Sequence, residues 1–236
     1  VRNSQLVESK ASRSDGALDV HGIFHTIQGE GPFSGHRAVF VRLAGCNLQC
    51  PGCDTDYTSF RRFLSPEEVL ENVRCWEPTE QNTNLGRRPI VVLTGGEPFR
   101  QDIVPTVRLL VLHGYRVQIE TNGTLFRDDL PWGPVTIVCS PKSGKLNPQL
   151  VPRIDALKYV IEAGNVAVDG LPLNVLGGPI GKVARPPANF KGTIYVQPMD
   201  AHDAEANARN MQAAVASVME HNYRLCIQTH KIAGVE

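Results

Sequence analysis

Short apolar runs punctuate the chain at intervals that suit strands rather than long helices. Residues 38–43 (AVFVRL) predict a buried strand and residues 90–93 (IVVL) a central one. Residues 116–120 (RVQIE), 135–139, 157–161 and 193–196 continue the series, and residues 224–227 (RLCI) end it. Between these runs the spacing turns helical. Ser65-Pro66-Glu67-Glu68 is a helix start, with Ser65 as N-cap, Pro66 at the first helical position and Glu68 reaching back; the helix behind it is expected to end near Val73. Further helices are expected after Pro98, to about His113, and over the Ala-rich residues 203–220. Residues 76–89 read as a surface loop, and residues 163–190, rich in Gly, Pro and Ala, carry no assignable pattern.

Strands alternating with helices predict an α/β fold with a mainly parallel sheet and right-handed crossovers. In such a sheet the carboxyl ends of the strands gather on one edge, where ligands bind. Six of the expected strands end there in a polar signature: Cys46, Thr94-Gly95-Gly96-Glu97, Thr121-Asn122-Gly123, Ser140-Pro141-Lys142, Gln197 and Gln228-Thr229-His230. Core packing alone does not produce that coincidence. Residues 1–19 are polar and aperiodic and read as a flexible N-terminal arm, leaving residues 20–236 as a single domain.

Composition narrows the classes of function. Lys plus Arg and Asp plus Glu both number 24, so no global field draws the chain to nucleic acid or to an anionic membrane. Without an apolar span or a signal-peptide core, the expected location is the cytoplasm. There, closely spaced cysteines act as ligands or redox groups more often than as disulfides. Cys46-Asn-Leu-Gln-Cys50-Pro-Gly-Cys53 puts three thiols into eight residues. Three thiolates on one loop can hold three irons of a cubane and leave the fourth open. A structural zinc site wants four closing ligands, and no second C-x2-C is present. Cys139 and Cys226 lie inside apolar runs and read as core; Cys75 has no assigned role.

The C-x3-C-x2-C loop after a strand, followed downstream by Thr94-Gly95-Gly96-Glu97-Pro98, resembles the radical S-adenosylmethionine superfamily. The resemblance implies an open, partial (β/α) TIM-like barrel of about six mainly parallel strands with reduced helices. It also implies a [4Fe–4S] cluster on Cys46, Cys50 and Cys53 and S-adenosylmethionine bound at its open iron. Gly52 stands where that superfamily commonly has an aromatic residue, which implies less shielding near the adenine.

Thr26-Ile27-Gln28-Gly29-Glu30-Gly31, Asp54-Thr55, Glu120-Thr121-Asn122-Gly123, Ser140-Pro141-Lys142 and Gln228-Thr229-His230-Lys231 sharpen the resemblance. Together they look like the 7-carboxy-7-deazaguanine synthases, from about Val20 to the last residue. That likeness implies conversion of 6-carboxy-5,6,7,8-tetrahydropterin to 7-carboxy-7-deazaguanine with loss of ammonia, dependent on Mg²⁺. By resemblance, Gln28, Gly29, Glu30, Arg42, Thr94, His230 and the chain-end carboxylate on Glu236 meet the pterin. Thr55 would hold Mg²⁺, with Asp54 behind it. Gly96, Glu97, Asn122, Ser140, Lys142 and Gln197 would surround S-adenosylmethionine, with Glu120 as a further candidate there. The residue types suit these parts. A pterin edge can be read by Gln28 and Glu30 through paired hydrogen bonds, and Arg42 offers a bidentate fork to a carboxylate. His230 is a candidate proton carrier because an imidazole titrates near neutrality.

The resemblance further implies a homodimer and a flavodoxin-type reductant, with no nucleic-acid or membrane partner. A glycyl-radical activase is the nearest rival, yet it leaves the Gln28–Glu30 and Gln228–His230 segments without a purpose. A non-catalytic iron–sulfur or zinc regulator is the rival from another class.

Overall fold

The computed structural model describes residues 3–11, 13, 15–77, 88–176 and 182–235. In chain order they form β1 (Leu18–Ile27), β2 (Arg37–Leu43), β3 (Arg62–Leu64), α1 (Pro66–Arg74), β4 (Ile90–Gly95), α2 (Val104–Leu112) and β5 (Val117–Thr121). Then follow β6 (Val135–Cys139), β7 (Ala156–Ile161), β8 (Thr193–Pro198), α3 (Ala204–His221), β9 (Arg224–Leu225) and α4 (Thr229–Ala233). One nine-stranded sheet has the order β3-β1-β2-β4-β5-β6-β7-β8-β9, with different strands at its two edges, so it stays open. From β2 onward every pairing along this order is parallel. The expected α/β fold with an open, mainly parallel sheet is present. No helix among the described residues is long and apolar enough to cross a membrane.

Two strands escaped the sequence pattern. β1 and β3 are antiparallel additions at one edge. In β1 the register shifts between Val20 and Gly22, so the in–out alternation that would betray a ten-residue strand is broken in the middle. Helix α1 begins as expected: the Ser65 hydroxyl accepts from the Glu68 amide at 3.2 Å, and the Glu68 carboxylate accepts from the Ser65 amide at 2.7 Å. Its Val69, Leu70 and Val73 turn inward.

The parallel strands have two unlike faces. Val39, Val41, Leu43, Val91, Leu93, Val117, Ile119, Ile137, Leu157, Tyr159 and Val196 join the main core, which also takes in Val69 and Val73 of α1 and Val107 and Leu110 of α2. The alternate residues face the other way. Near the start of the strands these are apolar, as with Ala38, Phe40, Ile90, Val92, Ala156 and Tyr195. Toward the strand ends they become Arg42, Thr94, Glu120, Lys158 and Gln197, all of which line one cavity. The period-2 geometry of a strand thus separates stability from chemistry.

Candidate active site

The cavity, about 450 Å³, lies at the carboxyl ends of the strands and is within the usual range for a small-molecule site. Its rim carries Cys46, Cys50, Cys53, Asp54 and Thr55, and its floor carries Gln28, Glu30, Thr94, Glu120 and Lys158. Arg42, Gly96, Asn122, Ser140, Lys142, Gln197 and His230 also line it, so most of the candidates drawn from distant parts of the chain converge. Three do not. Gly29 and Glu97 lie outside the lining, and Glu236 lies outside the described residues.

The rim is built from backbone. The Gly96 amide donates to Leu43 O at 3.0 Å and the Glu97 amide to Gly45 O at 3.1 Å, stitching the Thr94–Pro98 turn to the approach of the cysteine loop. A Cβ on Gly96 would lie 1.8 Å from Gly45 O, and one on Gly95, at φ +111°, would lie 2.4 Å from Leu43 O. These glycines let two backbone segments touch, and both also line the cavity. Glu97, expected beside S-adenosylmethionine, turns its carboxylate to the protein. Its carboxylate accepts from the amides of Phe99 (3.0 Å) and Asn122 (2.8 Å) and from the Thr121 hydroxyl (2.8 Å), joining two loops of the rim. Burial pushes it up to about 7 against the pull of these donors.

At Gly52 a Cβ would lie 2.8 Å from the Leu176 carbonyl. A side chain is excluded there because the backbone at Leu176, at φ +39°, fills its place, and Leu176 itself lines the cavity. The three thiols are held by burial above their ordinary range, Cys46 up to about 12. Three thiols from one loop, all facing one cavity, match a cubane that leaves one iron for an outside ligand. No three His, Cys, Asp or Glu side chains among the described residues converge as ligands of a single metal ion. The Thr55 hydroxyl donates to Asp54 at 3.2 Å, placing two hard oxygen donors next to Cys53.

The floor is a network of buried charge. The chain from Gln28 to His36 passes across the cavity face of the sheet, where the Gly31 amide meets Cys226 Sγ at 3.3 Å and Arg116 covers the Phe33 ring. Gln28 bonds within the protein: its Nε2 donates to Glu120 at 3.0 Å, and its Oε1 accepts from the Glu30 amide at 3.0 Å. It positions two carboxylates, and with one Nε2 hydrogen and one Oε1 lone pair left over it still lines the cavity. Glu30 pairs with Lys158 and accepts from Gln228 Nε2 at 2.8 Å. Glu120 also accepts from Gln118 Nε2 (2.9 Å) and from the Thr94 hydroxyl (3.0 Å), so it is a hub of the floor.

Burial opposes charge throughout the floor, and pairing decides each case. The Lys158 ammonium and the Gln228 amide hold Glu30 down to about 2 despite its burial. Lys158, also buried, is held above its ordinary value by Glu30 and Glu120. Glu120 is raised by burial, against the attraction of Lys158. Lys142 is lowered, first by burial and then by Lys158; its Nζ donates to Ser140 Oγ at 2.5 Å. Arg42 lies over the Phe24 ring at 4.9 Å, and among the described residues its buried Nε has no hydrogen-bond partner. A half-buried planar cation with a free donor fits an incoming carboxylate.

His230 comes from α4 and explains Gly29: a Cβ on Gly29 would lie 1.8 Å from the imidazole Nδ1. Burial lowers His230 below its ordinary value, keeping the ring neutral near pH 7. Lys158 was absent from the sequence reading, and its one signal was a lone lysine inside the apolar run ALKYVI. Asn47 was missed as well; its Oδ1 accepts from Asn122 Nδ2 at 2.9 Å, joining the cysteine loop to β5. Cys139 and Cys226 are buried, in agreement with their reading as core.

Residues 41–131 match the Radical SAM superfamily, a span that contains the cysteine loop and the Thr94–Pro98 turn. A 7-carboxy-7-deazaguanine synthase of Rhodospirillum rubrum is 47% identical over 228 residues, covering 93% of this chain and 93% of that one. A second, of Rickettsia prowazekii, is 39% identical over 93% of this chain and 89% of its own. The crystal structure of QueE from Escherichia coli shares the fold, with a TM-score of 0.67 at 24% identity over 93% of this chain. A sulfur-bearing rim, a charged floor and relatives aligned along nearly the whole chain lead to one assignment: this radical S-adenosylmethionine enzyme belongs to the 7-carboxy-7-deazaguanine synthase family.

Proposed function

We propose that the chain catalyses the Mg²⁺-dependent ring contraction of 6-carboxy-5,6,7,8-tetrahydropterin to 7-carboxy-7-deazaguanine with release of ammonia. The observation that carries this reading is the single cavity that joins three thiols at its rim to a polar, charge-paired floor. When bound at Cys46, Cys50 and Cys53, the cluster with S-adenosylmethionine supplies a 5′-deoxyadenosyl radical able to take hydrogen from the substrate and return it.

The protein's own residues orient and protect. Arg42 binds the substrate carboxylate through its free Nε side, with the Phe24 ring against one face of its guanidinium. Glu120, fixed by Gln28, Gln118 and Thr94, has an acceptor site left on Oε2 for one N–H of the pterin edge. Neutral His230 presents a ring nitrogen to the same pocket. Thr55, with Asp54, holds Mg²⁺ near the substrate carboxylate. Asn122, Ser140, Lys142, Gln197 and the Gly96 backbone contact S-adenosylmethionine. Lys158 holds its proton and keeps Glu30 ionised without becoming a donor itself. An external one-electron donor of the flavodoxin type and a homodimeric assembly belong to the same proposal.

Anaerobic reconstitution with iron and sulfide, followed by incubation with the pterin, S-adenosylmethionine, reductant and Mg²⁺, tests it. Mass spectrometry should find the deazaguanine and one ammonia per turnover. Cleavage of S-adenosylmethionine without a deazaguanine product would overturn the substrate assignment.

A further inference from the structure

The first residues of the chain bear on the rim. Asn3 donates from its amide to Pro51 O at 3.0 Å and from Nδ2 to Cys50 O at 3.1 Å. Gln5 donates from Nε2 to Thr55 O at 2.9 Å, and its Oε1 accepts from the Tyr57 amide at 2.8 Å and the Thr58 hydroxyl at 3.1 Å. Gln49, inside the cysteine loop, donates back to Gln5 O at 2.8 Å. The Glu8 amide donates to Cys46 O at 2.7 Å, and its carboxylate pairs with Arg61 and with Arg100 at 3.3 Å. Arg100 in turn donates to Ala44 O at 3.0 Å.

The carbonyls of Cys46, Cys50, Pro51 and Thr55 are thus satisfied by a segment some 40 to 50 residues earlier in the chain. Apolar burial does not explain why the segment lies there. Leu6 is 75% exposed and Val7 is 57% exposed. Its place is set by the polar contacts themselves, and those contacts converge on the cysteine loop. An irregular loop has few internal partners for its peptide groups, so an outside strap supplies them.

We propose that residues 3–8 are a positioning strap for the cluster loop: Asn3, Gln5 and Glu8 hold the backbone of Cys46–Thr55 in its ligating shape and slow the opening through which iron is lost. The residues are positioning, not catalytic, since none of them lines the cavity. The proposal rests on the reading of Cys46, Cys50 and Cys53 as cluster ligands, and its test separates the two.

The decisive comparison is of full-length wild type with the Asn3→Ala/Gln5→Ala double variant, first in the metal-free protein. Alkylation of Cys50 and Cys53 by iodoacetamide, followed by peptide mass spectrometry, should be about tenfold faster in the variant, the effect of two or so lost hydrogen bonds on local opening. Cys139, buried in the main core, reports on global unfolding and should react equally slowly in both. Lys10→Ala, an exposed change on the same segment, should match wild type. After reconstitution, loss of the visible cluster absorbance to a chelator should accelerate in the double variant by a similar factor. Equal alkylation rates, or faster alkylation at Cys139 as well, would overturn the strap. Unchanged cluster loss with faster alkylation would overturn its role in retention. If neither protein takes up a cluster, the ligand assignment fails, while the alkylation rates still decide whether the segment holds the loop.

Discussion

The rim and the floor of the cavity are made in opposite ways. The rim is backbone on backbone: two glycines with no room for a Cβ, amides donating to carbonyls, and thiols on an irregular loop. The floor is side chain on side chain, with Lys158 and Glu120 on the polar half of a sheet face fixed by Glu30, Gln28 and Gln228 from the segments that cross it. A rim of that kind is intolerant of added volume. A floor of that kind tolerates small changes of shape but not the removal of a charge.

The largest effect should come from breaking the floor. In Lys158→Met a nearly buried Glu30 loses its cation, and the protein should lose about 3 kcal/mol at neutral pH, read from denaturant unfolding. Iron uptake should survive. The pH dependence has a definite sign: Glu30 is held at about 2 in the folded chain against an ordinary 4.5, so the pair's contribution is complete above about 4.5 and lost as pH falls through 2. The stability gap between wild type and variant should therefore narrow across that window. A gap that is flat with pH would mean that the pair does not stabilise the fold.

Breaking the rim should cost less stability and more function. Gly96→Ala forces a Cβ against Gly45 O and should cost about 2 kcal/mol through a displaced turn. Iron and sulfide content after reconstitution should fall well below wild type, the reverse of the Lys158→Met pattern. Equal iron content would show that the two segments move together without disturbing the thiols. Arg42→Lys sharpens the comparison with the smallest effect. It keeps a charge but loses the fork and the stack on Phe24, so KM for the pterin should rise about tenfold with kcat and the unfolding midpoint little changed. A change in kcat alone would move Arg42 from binding to the chemical step.

The rim was the more legible half. Cysteine spacing and glycines after a strand leave a mark on consecutive residues, and those marks need no tertiary knowledge to be seen. The floor is assembled across 200 residues: Lys158 shows only as a polar interruption in β7, and Glu120 as the last residue of a polar-tipped strand. Which way Gln28 and Glu97 spend their hydrogen bonds depends on neighbours 92 and 25 residues away, so their chemistry was foreseen as polar but not their partners. β1 went unread for a local reason, the register shift at Val20 and Gly22. Residues 3–8 read as part of a flexible arm, since they carry no periodicity and bury little apolar surface, yet they are hydrogen-bonded to the cysteine loop.

The amide stitching between the Thr94–Pro98 turn and the cysteine loop bears on electron transfer. A centre that takes up a single electron and then gives it away is slowed whenever its surroundings must rearrange to follow the charge. Peptide groups already committed to one another at Leu43, Gly45, Gly96 and Glu97 have little left to rearrange. With a cluster held at Cys46, Cys50 and Cys53, a rim committed in this way would keep the reorganisation energy of each reduction low.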